Sequence, residues 1–126
     1  MVVTVKQLLA EANAAVPKIA AADAARLVAE KGAVFLDVRD GTEVKANGKL
    51  KGAVAVQRGL VEFKADPESP THEPRLRRDA PVVVYCASGG RAALAGKTLK
   101  DMGFGEVYNL GGFKDGVEGG IEIEPA

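Results

Sequence analysis

The chain has one cysteine, one histidine and no tryptophan among its 126 residues. A single thiol cannot close an internal disulfide, and one thiol with one imidazole cannot build the usual four-ligand zinc site, so a metal centre is not expected. The fold must then be held by burial alone, and a chain of this length can form one core without covalent staples. Nor is there an excess of charge of either sign: 17 acidic and 17 basic side chains cancel. That balance argues against nucleic acid as a partner and for a small molecule or another protein. No apolar run approaches the roughly 20 residues that span a bilayer. The opening Met1-Val2-Val3-Thr4-Val5-Lys6 lacks the basic start and apolar core of a secretory signal. A cytoplasmic protein with no membrane partner is expected.

The apolar pattern that is present is of two kinds. Val5, Leu8, Leu9, Ala12, Ala15 and Val16 recur at helical spacing behind Thr4, an N-cap residue, and Pro17 stops the run, which predicts a helix over residues 4–15. A second helix is predicted from Ala22 to Glu30, with Ala24, Leu27 and Val28 as its stripe and Gly32 as its exit. Four short β-forming runs follow: Val34–Val38, Ala53–Val56, Val82–Tyr85 and Val107–Leu110. Near-continuous apolar strands of this kind belong to a parallel sheet covered on both faces. Between the last two, Ala92, Ala95, Leu99 and Met102 fall at helical spacing before Gly103. The reading is an α/β domain with one sheet. Residues 66–81 contain one isolated large apolar residue, Leu76, and read as a surface excursion carrying the solvent-facing His72. The glycines from Gly111 to Gly120 read as tight turns.

The chemistry concentrates after the third of these strands, where Cys86-Ala87-Ser88-Gly89-Gly90-Arg91 leads into a helix. Ligands of open α/β sheets bind at the carboxyl ends of strands. Gly89 and Gly90 let the backbone curl its N–H groups inward, and the first helical turn adds unpaired donors and the positive end of its dipole. Such a cradle favours the thiolate of Cys86, which would act as nucleophile and sulfur carrier, with Arg91 at the rim for a sulfonate or other oxyanion. The commonest fate of a free cysteine is as a small buried hydrophobe. A filler residue, however, does not require a Ser-Gly-Gly-Arg turn immediately behind it.

These motifs resemble those of the rhodanese-like family. The six-residue loop is similar to the family's Cys-x-x-Gly-x-Arg active loop, Asp37-Val38-Arg39 to its Asp-Val-Arg signature, and Gly52-Ala53-Val54 with Arg58-Gly59 to its Gly-Ala segment and downstream arginine. Asn109-Leu110-Gly111-Gly112-Phe113 resembles its closing Leu-x-Gly-Gly motif. The resemblance implies a five-stranded parallel sheet in the order 1-5-4-2-3 flanked by helices, its first strand near Ile19. Residues 1–18 would be an N-terminal helical extension and residues 19–126 the rhodanese-like domain. It also implies transfer of the outer sulfur of thiosulfate or a persulfide through a Cys86 persulfide to cyanide or a thiol, with no cofactor. Two departures stand out: Gly48-Lys49-Leu50-Lys51-Gly52-Ala53 lacks the family's His-Ile-Pro, and Gly116 replaces a tryptophan.

Around this centre, Asp37 reads as a structural partner of Arg39, while Arg39 and Arg58 read as ligands for the donor sulfonate or as pins for the loop. Ser88 can orient its hydroxyl towards sulfur or serve only as a small turn residue. Two rival functions are a phosphatase or arsenate reductase, which uses five residues between cysteine and arginine where this chain has four, and a non-catalytic binding module on the same fold. With no second thiol, sulfur must leave to an external acceptor, a small thiol or a protein.

Overall fold

A computed structural model describes all 126 residues. Helix α1 (Val5–Ala15) begins at a reciprocal cap in which the Thr4 hydroxyl accepts from the Gln7 N–H at 3.2 Å and Gln7 Oε1 accepts from the Thr4 N–H at 2.8 Å. Helix α2 (Ala21–Lys31) ends on left-handed Gly32. Then come β1 (Val34–Asp37), α3 (Gly41–Asn47), β2 (Lys49–Leu50), β3 (Val54–Ala55), a 3₁₀ turn (Arg58–Leu60) and α4 (Val61–Ala65). After residues 66–81 the chain continues through β4 (Val82–Cys86), α5 (Gly90–Asp101), β5 (Val107–Gly112), α6 (Phe113–Glu118) and β6 (Ile123–Glu124).

Four strands form a parallel sheet in the order β3-β1-β4-β5. The fifth strand expected near Ile19 is not formed. It is reduced to a single parallel bridge beside β5, where the Asn109 N–H donates to the Pro17 carbonyl at 2.9 Å and the Ile19 N–H to the Asn109 carbonyl at 3.1 Å. Pro17 has no N–H to extend the ladder and α2 starts at Ala21, so no length remains for a strand. A separate antiparallel pair, β2 with β6, joins Leu50 to Ile123 and was not anticipated.

All five residues of β4 are buried. Val82, Val84 and Cys86 face one core with Val16, Leu36, Leu99 and Phe104, while Val83 and Tyr85 face the other with Ala24, Phe35, Leu50 and Leu110. Period-2 alternation in a two-sided sheet thus sets the direction of every side chain around the site. Val16, which caps the C-terminus of α1, packs on α5: its Cγ1 would lie 3.0 Å from a Cβ at Gly96, so glycine there admits the close approach.

Two expectations for loops are corrected. Leu76 is 1% exposed and inserts into the first core, anchoring residues 66–81, and half-buried His72 places Nε2 3.2 Å from the Leu76 carbonyl instead of facing solvent. The glycine-rich stretch after Gly111 is not a run of turns but the end of β5 followed by α6. That helix is started by Asp115, whose Oδ2 accepts from the Gly112 N–H at 2.7 Å.

Candidate active site

Strand β4 delivers Cys86 to the carboxyl edge of the sheet. The register with β5 shifts after Val84, so Tyr85 and Cys86 lie opposite Gly111 and Gly112. A Cβ at Gly112 would overlap the Ala87 carbonyl oxygen, and one at Gly89 would stand 3.3 Å from the Gly111 Cα. Gly89 also holds φ +104, where side chains are strained. The glycines of the closing motif therefore exist to let the active loop lie against β5.

The loop curls back onto the sulfur. Cys86 Sγ accepts from the Gly89 N–H at 3.0 Å and from the Ala92 N–H at 3.4 Å. The N–H groups of Ser88, Gly90 and Arg91 meet no acceptor within the protein. They open the 12-residue helix α5, whose dipole adds positive potential at the same place. The sulfur is buried, while Ala87 and Ser88 are exposed at the rim. Such a site stabilises negative charge on the sulfur, and on an atom attached to it, with backbone donors that cost no reorganisation.

Two side chains outside the loop hold its shape. Asn109 Nδ2 donates to the Gly89 carbonyl at 3.1 Å, and its Oδ1 accepts from the Gly111 N–H at 2.8 Å. Glu43, in the first turn of α3, receives Arg91 through two bonds of 2.7 and 3.1 Å. Hydrogen bonding from Arg91 holds the Glu43 carboxyl down at about 2, and the same contact raises the Arg91 guanidinium. Arg91 is thus engaged by a carboxylate and is not the open anion ligand expected at the rim. Glu43 was missed because its partner lies 48 positions away. The available signal was Asp40-x-x-Glu43, a capping-box spacing directly after a strand.

The remaining expected arginines are placed differently from one another. Buried Arg39 is consumed by Asp37, with Nε 3.0 Å from Oδ1 and a terminal nitrogen 2.7 Å from Oδ2, and it also donates to the Gly48 carbonyl at 2.7 Å. Its Cζ lies 4.3 Å from the centroid of the Phe113 ring. It edges a hollow of about 140 Å³ with Glu43, Ala87 and Phe113, beside the loop. Arg58 points away from the loop, bonded to Glu62 at 3.0 Å and to the Thr98 hydroxyl at 3.1 Å. Thr98 lies two turns further along α5 than Arg91, about 10 Å at the helical rise. On the opposite face of β4 from Cys86, in the second core, lies Tyr85, whose phenol is pushed up by burial and whose oxygen accepts from the Leu50 N–H at 3.0 Å. Leu50 also fills the space of the missing tryptophan: its Cδ1 would stand 2.8 Å from a Cβ at Gly116.

A cysteine at the end of a central parallel strand, cradled by its own loop and backed by a buried Asp-Arg pair, defines a rhodanese-type domain. The chain belongs to the rhodanese-like domain family, whose sequence model matches residues 20–118. It is 35% identical to the polysulfide-sulfur transferase homodimer of Wolinella succinogenes, with a TM-score of 0.74, covering 96% of this chain and 87% of that one. A protein of unknown function from Rhodopseudomonas palustris, described as a possible tyrosine phosphatase, is 37% identical with a TM-score of 0.86, covering 98% and 96%. Among curated relatives, a tRNA uridine(34) hydroxylase of Corynebacterium aurimucosum is 38% identical over 90 residues, 69% of this chain. The chain spans only 28% of that hydroxylase. No helix is long and apolar enough to cross a membrane.

Proposed function

We propose that this chain is a sulfurtransferase that moves the outer sulfur of thiosulfate or another sulfane donor through a Cys86 persulfide to cyanide or an external thiol. The observation that carries the reading is the pair of amide donors, from Gly89 and Ala92, directed at Cys86 Sγ. The thiolate attacks the outer sulfur of the donor, the donor's sulfur–sulfur bond breaks, and sulfite leaves with the bonding pair. The free amides of Ser88, Gly90 and Arg91 then hold the charge on the terminal sulfur. Arg91 acts by fixing the first turn of α5 to α3, and Asp37 and Arg39 by bracing the wall below. Arg58 has no part in the chemistry. Because the chain has one cysteine, the persulfide is discharged only by an outside acceptor.

A phosphatase reading is favoured by the description of the Rhodopseudomonas relative. Against it stand the four residues between Cys86 and Arg91, one fewer than the phosphate cradles use, and an arginine already neutralised by Glu43. The tRNA chemistry of the hydroxylase relatives belongs to proteins of which this domain is about a quarter, and we assign the sulfur to a thiol and not to RNA. Assay of thiocyanate formation from thiosulfate and cyanide separates these readings. Turnover by the native chain and none by Cys86→Ser supports sulfur transfer. Hydrolysis of p-nitrophenyl phosphate without thiocyanate formation supports the phosphatase.

A further inference from the structure

Where α3, β3 and the 3₁₀ turn meet lies a cavity of about 390 Å³ that no residue of the active loop lines. The volume falls within the range of small-molecule sites, roughly 300–1,000 Å³. Its apolar surface comes from Val44 and Val56, 4% and 5% exposed, with Ala55 and Leu60 beside them. Leu60 is a large apolar side chain that the fold leaves 40% exposed.

The charged side chains of the lining are all cationic: Arg39, Lys45 of α3 and Lys64 of α4. Neither lysine takes part in any ion pair of the molecule, and the terminal carboxylate of Ala126, at the rim, pairs with neither. Arg39 is 3% exposed, with Nε and Nη2 taken by Asp37 and the Gly48 carbonyl. Its Nη1 has no acceptor in the chain and is not sealed from the outside. A chain whose charges balance thus gathers cationic side chains, with no acidic one among them, around one apolar hollow. A neutral hydrocarbon would gain nothing from the two amines, and a bare inorganic anion nothing from the valine floor. An acid on a short apolar body uses both.

We propose that this cavity reversibly binds a small organic acid, its hydrocarbon body on Val44, Val56 and Leu60 and its carboxylate between Lys45 and Lys64. The site is separate from the sulfur chemistry and does not depend on it. Arg39 is the one residue that it shares with the hollow beside Ala87, so the ligand rests on the side chain whose pairing with Asp37 braces the wall below the loop.

The test titrates the full chain with hexanoate and, separately, with hexanamide, which has the same body and no charge, and follows the methyl resonances of Val44, Ala55, Val56 and Leu60 by NMR. Hexanoate is expected to shift these methyls and to bind about fivefold more tightly than hexanamide, the upper end for an exposed ion pair. That preference should vanish in the Lys45→Gln/Lys64→Gln double variant and persist in Lys114→Gln, which removes a cation outside the cavity. Equal affinity for the acid and the amide, a preference that survives in the double variant, or no shift of these methyls up to about 10 mM acid, far weaker than a millimolar Kd would give, each overturns the proposal. Because the readout is binding alone, any of these results leaves the persulfide reading where it stands, and failure of Cys86 to load sulfur leaves this site untouched.

Discussion

Glu43 and Arg91, 48 positions apart in sequence, meet in a two-point ion pair of 2.7 and 3.1 Å that ties the first turn of α3 to the first turn of α5. The active loop ends at that knot. The Glu43 carboxyl is lowered from 4.5 to about 2 by the hydrogen bond from Arg91. A carboxylate depressed by folding contributes stability that is full above its unfolded value and fades as the pH falls through its folded one. Both side chains are about one-third exposed, so solvent screening limits the contribution to about 1 kcal/mol. Glu43→Gln should therefore be less stable than the native chain by about that amount at pH 6. Urea unfolding should show the difference shrinking as the pH falls from 4.5 towards 2.

The Asp37–Arg39 pair should weigh more. Both residues are buried, and every strong donor on Arg39 that faces the core has an acceptor in Asp37 or Gly48. Removing one partner strands the other without water, at a cost of about 3–5 kcal/mol. Asp37→Ala should show that loss by urea unfolding. Arg58→Ala, which breaks a half-exposed pair with Glu62 on α4, should cost less than about 1 kcal/mol and leave thiocyanate formation unchanged.

Asn109 spans the loop and β5 with one donor and one acceptor. In Asn109→Ala the Gly89 carbonyl and the Gly111 N–H both lose a partner, which should destabilise the chain by about 1–3 kcal/mol. Asn109→Asp keeps the acceptor for Gly111 but turns a carboxylate oxygen towards the Gly89 carbonyl. It should slow sulfur loading more than Asn109→Ala does, as measured by the rate of sulfite release.

At Gly116 the missing tryptophan and a neighbouring leucine are coupled. A methyl group there meets Leu50 Cδ1 at 2.8 Å and Leu110 Cδ2 at 3.3 Å. Overpacking of this kind costs about 1–3 kcal/mol, against a helix-propensity gain of about 1 kcal/mol for alanine over glycine. Gly116→Ala should be neutral to destabilising in the native chain and more favourable when combined with Leu50→Val, which removes the Cδ atoms. A double-mutant cycle by thermal unfolding reads this coupling.

The parts of the molecule that were legible in the sequence are those set by local pattern. Short, near-continuous apolar runs located the four strands of the parallel sheet, and the Ser-Gly-Gly turn behind Cys86 located the loop, because turn chemistry and strand propensity act over a few residues. What was not legible depends on contacts between distant segments. Glu43 shows its function only once α3 and α5 are folded together, and Leu76 looked like an isolated apolar residue until the core received it. The pairing of β2 with β6 joins two-residue strands too short to carry a pattern. The fifth strand failed for a local reason that could have been seen, since Pro17 and the start of α2 leave only residues 18–20 between them. Arg58 was assigned by motif position, but its side chain follows the 3₁₀ turn towards Thr98.

The central claim is that Cys86 carries sulfur as a persulfide in a cradle of amides. Intact mass of the reduced chain after incubation with thiosulfate, before and after cyanide, tests it most directly. The account predicts a gain of one sulfur atom, absent in Cys86→Ser and removed by cyanide. An unchanged mass, or a gain that survives in Cys86→Ser, would contradict it.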